Sequence, residues 1–277
     1  MIRLILNEEQ LRLIYRSICK IYNLVVTIFE NIFYRKSIGN IKVINRGYFS
    51  IRFNKTKLDA LKNPKKLKKN DYLNIYLLKK DNIENLVKNI FNYECRNYIS
   101  SITGFNYSID YIIMYDRNFI ERSNRDKSIL NLWYSYKWHF DKPNSNNTLK
   151  IIYPINISSK HGPLKVIDTL NSKNISESNI SSFNKKGYKF SGLGDRLHGF
   201  FPAKCLHKDG IPMKGKTATQ IMFQLNPSLE WSINCKLNQR DPNLNNKLKI
   251  WTNEPKFTFL TSLFDNRIRL SKLMKEN

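Results

Sequence analysis

Four histidines, His139, His161, His198 and His207, occur in the 277 residues, and one of them stands in a pattern that carries chemistry. It lies in Lys137-Trp138-His139-Phe140-Asp141, at the end of a β-rich run. Residues i and i+2 share one face of a strand, so the imidazole of His139 and the carboxylate of Asp141 can converge on one point. With a third ligand from a distant strand they make a 2-His-1-carboxylate facial set. Such a set leaves coordination positions open, the arrangement non-haem Fe(II) uses to activate oxygen. A histidine and an aspartate two apart are a short pattern, so the weight falls on the elements around them.

Those elements change character near residue 107. Short β-rich runs follow one another at 109–115, 129–140, 149–157, 164–167, 203–207, 217–225 and 229–235. Asn, Ser, Gly and Pro clusters separate them, among them Asp141-Lys142-Pro143-Asn144 and Gly192-Leu193-Gly194. Many short strands with turn signals and no interleaved helices predict an antiparallel sandwich or barrel. Upstream, residues 8–34 carry Leu11, Tyr15, Ile18, Tyr22, Val25 and Phe29 at helical spacing, a helix expected to pack this face on its own domain. Residues 41–53 alternate like a strand or hairpin with Asn45-Arg46-Gly47 as its turn. A second helix is predicted over 82–101, ending at Thr103-Gly104. The tail, 236–277, is expected to close on a helix rich in Arg267, Arg269, Lys272 and Lys275.

Gly210-Ile211-Pro212-Met213-Lys214-Gly215-Lys216-Thr217 matches the letters of a phosphate-binding loop. That loop has to open a helix, whereas 217–225 reads as a strand, so a turn between strands is expected here.

Lys+Arg number 47 against Asp+Glu 22, a net charge of +25, and 41% of residues are hydrophobic. The apolar fraction excludes a disordered chain. No run approaches the ~20 apolar residues of a membrane helix, and Glu8 and Glu9 stand where a signal peptide is apolar, so a cytoplasmic protein is expected. Cys19, Cys95, Cys205 and Cys235 form no CxxC pair and read as reduced thiols. The charge is mostly lysine in a chain also rich in Asn and Ile, a base-composition signature; nucleic acid is therefore a weaker expectation than a small anionic ligand. The densest cluster, residues 62–69, reads as a solvated loop.

Three further segments follow the His139/Asp141 pair: the strand over 149–157, Gly162-Pro163-Leu164 opening the next, and Cys205-Leu206-His207-Lys208-Asp209-Gly210 ahead of the strand over 217–225. In this order, over residues 105–235, the chain resembles the phytanoyl-CoA dioxygenase family of Fe(II)/2-oxoglutarate oxygenases. The resemblance implies a mainly β fold with flanking helices: a double-stranded β-helix (jelly-roll, cupin-like) core over 105–235, an N-terminal helical or mixed region over 1–104 and an extension over 236–277. It implies iron held by His139, Asp141 and His207, with His198 the rival for the distal position. The implied cofactors are Fe(II), 2-oxoglutarate and O2, and the implied reaction is a hydroxylation, since Asp141 stands where halogenating relatives have a small residue.

One departure stands out. The family places an arginine about ten residues after the distal histidine to clamp the far carboxylate of 2-oxoglutarate, and this chain has Lys216-Thr217-Ala218-Thr219-Gln220 there. Lys216 can serve as a point charge with Thr217 or Thr219 donating a hydroxyl. Arg122, Arg125, Lys150 or Arg196 can supply the cation from another strand, or 2-oxoglutarate is not bound. On strand parity Asn131 and Trp133 share the face of His139 and border the co-substrate. Tyr134, Tyr136, Trp138 and Phe140 take the opposite, packing face. Cys205 is read as barrel packing. The expected substrate is an unidentified small molecule or glycan, anionic in view of the charge. Two other classes stay open: a non-catalytic basic jelly-roll module binding nucleic acid or anionic glycan, and a cupin-like metalloenzyme that does not use 2-oxoglutarate.

Overall fold

The computed structural model describes residues 8–52, 65–68, 72–78, 80–121, 136–141, 144–175, 187–233 and 268–275. Alternating and β-branched runs give twelve strands among these residues: β1 Tyr48–Arg52, β2 Lys65–Lys68, β3 Leu73–Leu77, β4 Asn106–Asn118, β5 Leu149–Pro154, β6 Leu164–Val166, β7 Tyr188–Phe190, β8 Arg196–Phe200, β9 His207–Lys208, β10 Thr217–Ser228, β11 Ser232–Ile233 and β12 Ile268–Arg269. The helices are α1 Glu8–Phe33, α2 Ile41–Arg46, α3 Lys80–Ile90, α4 Tyr93–Thr103, α5 Thr169–Lys173 and α6 Leu270–Met274. The architecture is mainly antiparallel β. A large sheet runs β1-β8-β5-β10-β4-β11-β12, with β3 beside β4 and β2 beside β3, and a small sheet runs β7-β6-β9. Every pairing is antiparallel except β11 with β4.

Alternation along the large sheet sorts side chains into two cores. Tyr111, Ile113 and Tyr115 of β4, Ile152 of β5 and Met222 of β10 meet Leu164, Val166, Phe190 and Cys205 from the small-sheet side. Ile112 and Met114, Ile151 and Tyr153, Ile221 and Phe223 face the other way, against Ile83, Leu86, Val87 and Ile90 of α3 and Ile99 and Ile102 of α4. Leu86, Val87 and Ile90 are wholly buried, and each contributes about 1.5–3 kcal/mol through burial. The helices thus back the large sheet and leave the space between the two sheets for the site.

Several expectations are corrected. The predicted helix over 82–101 is two helices: Asn92 caps α4 by accepting from the Cys95 N–H, which breaks the run after Phe91. Residues 41–46 form α2 rather than a strand, because the Asn40 side chain accepts from the Lys42 and Val43 N–H groups and Gly47 ends the helix at φ 81°. In α1 the packed face carries Cys19, Val26 and Glu30, while Ile18 and Val25 are exposed. Glu30 lies on that face: its Oε2 accepts from Ser145 Oγ at 2.6 Å and Asn147 Nδ2 at 3.2 Å. Lys65–Lys68, expected as loop, pairs with β3. β7 and β8, too short to show periodicity, were not expected. The turn through Lys214 and Gly215 leads straight into β10, so the segment resembling a phosphate loop opens a strand. Among the described residues no helix is long and apolar enough to cross a membrane.

Candidate metal centre

His139 and His207 lie on neighbouring segments joined by a reciprocal pair of backbone hydrogen bonds: His139 N to His207 O at 3.0 Å and His207 N to His139 O at 3.1 Å. This bridge continues the small sheet by one more segment beyond β9. Asp141 is fixed two residues on, its N–H donating to Pro202 O at 3.0 Å. The segments therefore bring together residues far apart in sequence.

The side chains finish the job. His139 Nδ1 lies 2.7 Å from Lys137 O and His207 Nδ1 lies 3.0 Å from Cys205 O. A carbonyl only accepts, so each ring carries a proton on Nδ1 and turns Nε2 inward. His139 Nε2 stands 3.5 Å from Asp141 Oδ1, and His207 Nε2 stands 3.5 Å from Asp141 Oδ2. One ligand atom from each of the three residues lies within 4.8 Å of the others, a spacing that a cation with ligands about 2.0–2.2 Å away can fill. Burial, and then the neighbouring His139, push the His207 imidazole below its ordinary pKa and keep it neutral. Burial alone would raise the Asp141 carboxyl, but Lys150 and His207 outweigh it and hold it well below the usual range. Two imidazoles oriented through Nδ1 and one ionised carboxylate fit a divalent transition metal.

Two glycines hold the distal loop in place. Gly162, at φ 62°, and Gly210 touch backbone to backbone: a Cβ on Gly162 would lie 2.5 Å from Ile211 C, and one on Gly210 would lie 2.6 Å from Gly162 C. Any side chain at either position would separate the turn before β6 from the loop after His207.

The remaining expected residues are distributed as follows. Lys216 is exposed at the turn ahead of β10. Thr217 donates to Asn118 Oδ1 at 3.0 Å and Thr219 to Asp116 Oδ1 at 2.8 Å, so both hydroxyls are spent on β4. Asn131, Trp133, Arg122, Arg125 and Tyr134 fall outside the described residues. Arg196 pairs with Asp195 and is partly exposed. Lys150 reaches the centre itself, its Nζ 2.5 Å from Asp141 Oδ2. His198 is not near the ligands' carboxylate: Nδ1 lies 2.6 Å from Ser50 Oγ, Nε2 lies 2.9 Å from Ser191 O, and the ring stacks on Phe190. Cys205 is buried, with Sγ 3.3 Å from Gly47 O, as packing requires. Trp138 and Phe140 pack outside the small sheet with Ile167 and Leu206.

The residue that sequence reasoning missed is Arg117. It is wholly buried on β4, directly opposite Ala218 of β10. Its parity is that of Tyr111, Ile113 and Tyr115, so it points between the sheets. Nη1 lies 3.1 Å from Asp209 Oδ1 and donates to Gly210 O at 2.8 Å, and Nη2 donates to Gln220 Oε1 at 3.0 Å. Nε is buried without a hydrogen-bond partner. Tyr115 accepts a hydrogen bond from Gln220, and burial, with the charge of Asp209 next, raises its pKa. The available signal was an arginine at the inward parity just past the apolar run over 109–115.

No family model and no curated protein matches the chain. Solved structures resemble it coarsely. HygX from Streptomyces hygroscopicus, solved with nickel, 2-oxoglutarate and hygromycin B, is 10% identical at a TM-score of 0.48, covering 69% of this chain and 86% of that one. The epimerase SnoN of nogalamycin biosynthesis, described as non-heme and alpha ketoglutarate dependent, is 7% identical at a TM-score of 0.43, covering 67% and 79%. EvdMO1 is 11% identical at a TM-score of 0.45, and this chain spans about half its length, 49%.

Proposed function

We propose that the chain is an Fe(II)- and 2-oxoglutarate-dependent oxygenase on a double-stranded β-helix, oxidising a C–H bond of a small-molecule substrate. The observation that carries this is the convergence of His139, Asp141 and His207 with both Nδ1 atoms already committed to backbone carbonyls. When bound, the iron and 2-oxoglutarate supply the oxidising chemistry. The protein's own residues do the rest. His139, Asp141 and His207 would hold the ion on one side and leave its other positions open. Arg117 takes the place of the arginine absent near Lys216. It reaches the interior from the strand next to β10, and its unpartnered Nε offers a carboxylate a buried donor beside Nη2. Tyr115 and Gln220 orient that guanidinium, and Tyr111, Ile113 and Met222 keep water from the space between the sheets. The net charge of +25 favours an anionic substrate.

The test is an anaerobic titration of the protein with Fe(II) and then 2-oxoglutarate, followed by the visible charge-transfer absorption of the chelate. The expected band requires both additions and is lost in His139→Ala. Iron binding without a band would replace this reading by a metalloenzyme that does not use 2-oxoglutarate. No iron binding would leave a basic jelly-roll module, to be assayed for salt-dependent polyanion binding.

A further inference from the structure

Lys150 is placed where a lysine opposes a metal. On β5, Ile152 faces the space between the sheets while Ile151 and Tyr153 face the helices. Lys150 therefore shares the inward parity, and its side chain ends 2.5 Å from Asp141 Oδ2 with 13% of its surface exposed. A lysine so enclosed needs a fixed partner, and the partner here is the carboxylate of the ligand set. The centre thus contains a fourth element beside two imidazoles and a carboxylate: a fixed positive charge.

Two physical consequences follow. An ammonium on Oδ2, the oxygen that faces His207 Nε2, occupies one carboxylate oxygen and leaves Oδ1, which faces His139 Nε2, for the ion. A carboxylate held to one oxygen blocks fewer coordination positions than one binding through both. Second, like charges at this range repel, so the ammonium weakens an incoming divalent cation and strengthens an anion that later joins it. Resting on the metal-centre reading above, we infer that Lys150 is a positioning residue that holds Asp141 to a single coordinating oxygen and exchanges metal affinity for affinity toward an anionic co-substrate.

The full chain is titrated anaerobically with Co(II), read by its d–d absorption, and the Co(II)-loaded protein is then titrated with 2-oxoglutarate and, separately, with azide. Wild type, Lys150→Met, Lys150→Gln and Lys150→Arg are compared, with near-ultraviolet circular dichroism to confirm folding. Both neutral variants are expected to bind Co(II) about tenfold more tightly and the anions about tenfold more weakly, with Lys150→Arg close to wild type. The opposed signs separate this role from packing, since lost packing weakens both steps. Neutral variants that change neither affinity, weaken both, or fail to fold while Lys150→Arg folds would overturn the inference and leave the metal centre standing. A wild-type protein that binds no Co(II) overturns the metal centre and this inference with it. Azide reads the anion step even where 2-oxoglutarate does not bind.

Discussion

Two places in the interior use histidine in opposite ways. In one, His139 and His207 each give Nδ1 to a backbone carbonyl and turn Nε2 toward Asp141. In the other, two rings away through Phe200 and Phe190, His198 spends both nitrogens, on Ser50 and on Ser191, and stacks its ring on Phe190. All three rings are buried, so burial does not separate a ligand from a core histidine. What separates them is whether one nitrogen is left facing a carboxylate. The pKa directions agree in sign, with burial lowering both His207 and His198, the latter to about 4. The comparison therefore rests on geometry.

The largest effect that tests it is metal loss. His139→Ala is expected to reduce divalent-metal affinity by more than about 100-fold, beyond the 10–100-fold typical of an outer-shell partner, as read by Co(II) titration; His198→Phe leaves that affinity unchanged. Equal losses in the two variants would erase the distinction between the rings.

Next in size is the co-substrate arm. Replacing Arg117 alone strands Asp209, a buried charge whose loss of partner costs about 3–5 kcal/mol. The paired change Arg117→Met with Asp209→Leu avoids that cost. It is expected to weaken 2-oxoglutarate binding to the metal-loaded protein about 100-fold, the worth of a charged hydrogen-bonded pair, with metal affinity kept. Lys216→Ala is expected to leave both untouched.

Smaller effects concern stability and carry opposite pH signatures. Glu30, buried under α1, has its carboxyl pushed up to about 7 by desolvation. Its folded form holds a proton that the unfolded form has released. It therefore contributes stability that is fully present below about pH 4.5 and is lost as pH rises toward 7. Glu30→Gln should remove that slope and raise stability above pH 7 by up to about 3 kcal/mol. For His198 the unfolded form takes the proton first, so its contribution is present above about pH 6.5 and is lost as pH falls toward 4. His198→Phe should flatten that window while costing about 1–3 kcal/mol at neutral pH from its hydrogen bonds. Urea unfolding from pH 4 to 8 measures both.

How much of this the sequence contained follows from how local each signal is. β4 and β10 are long alternating runs, and their parity can be counted along one chain. The His139/Asp141 pair is equally local. The place of His207 beside that pair needed the order of several segments, with His198 a competitor only nine residues before it. Arg117 went unremarked because it and Ala218 are neighbours across a sheet, and pairing between strands so distant in sequence cannot be counted along a chain. α2 went unread because a six-residue helix is decided by its cap, Asn40, rather than by periodicity. The packed face of α1 was misread because a carboxylate, Glu30, marks it, and Glu30 is buried only by virtue of Ser145 and Asn147.

The backbone bridge between His139 and His207 has one more consequence. The two imidazoles are registered by main-chain hydrogen bonds, so the pairing of two backbone segments sets their spacing. A slip of one residue in that pairing would turn one ring to the opposite face, away from Asp141.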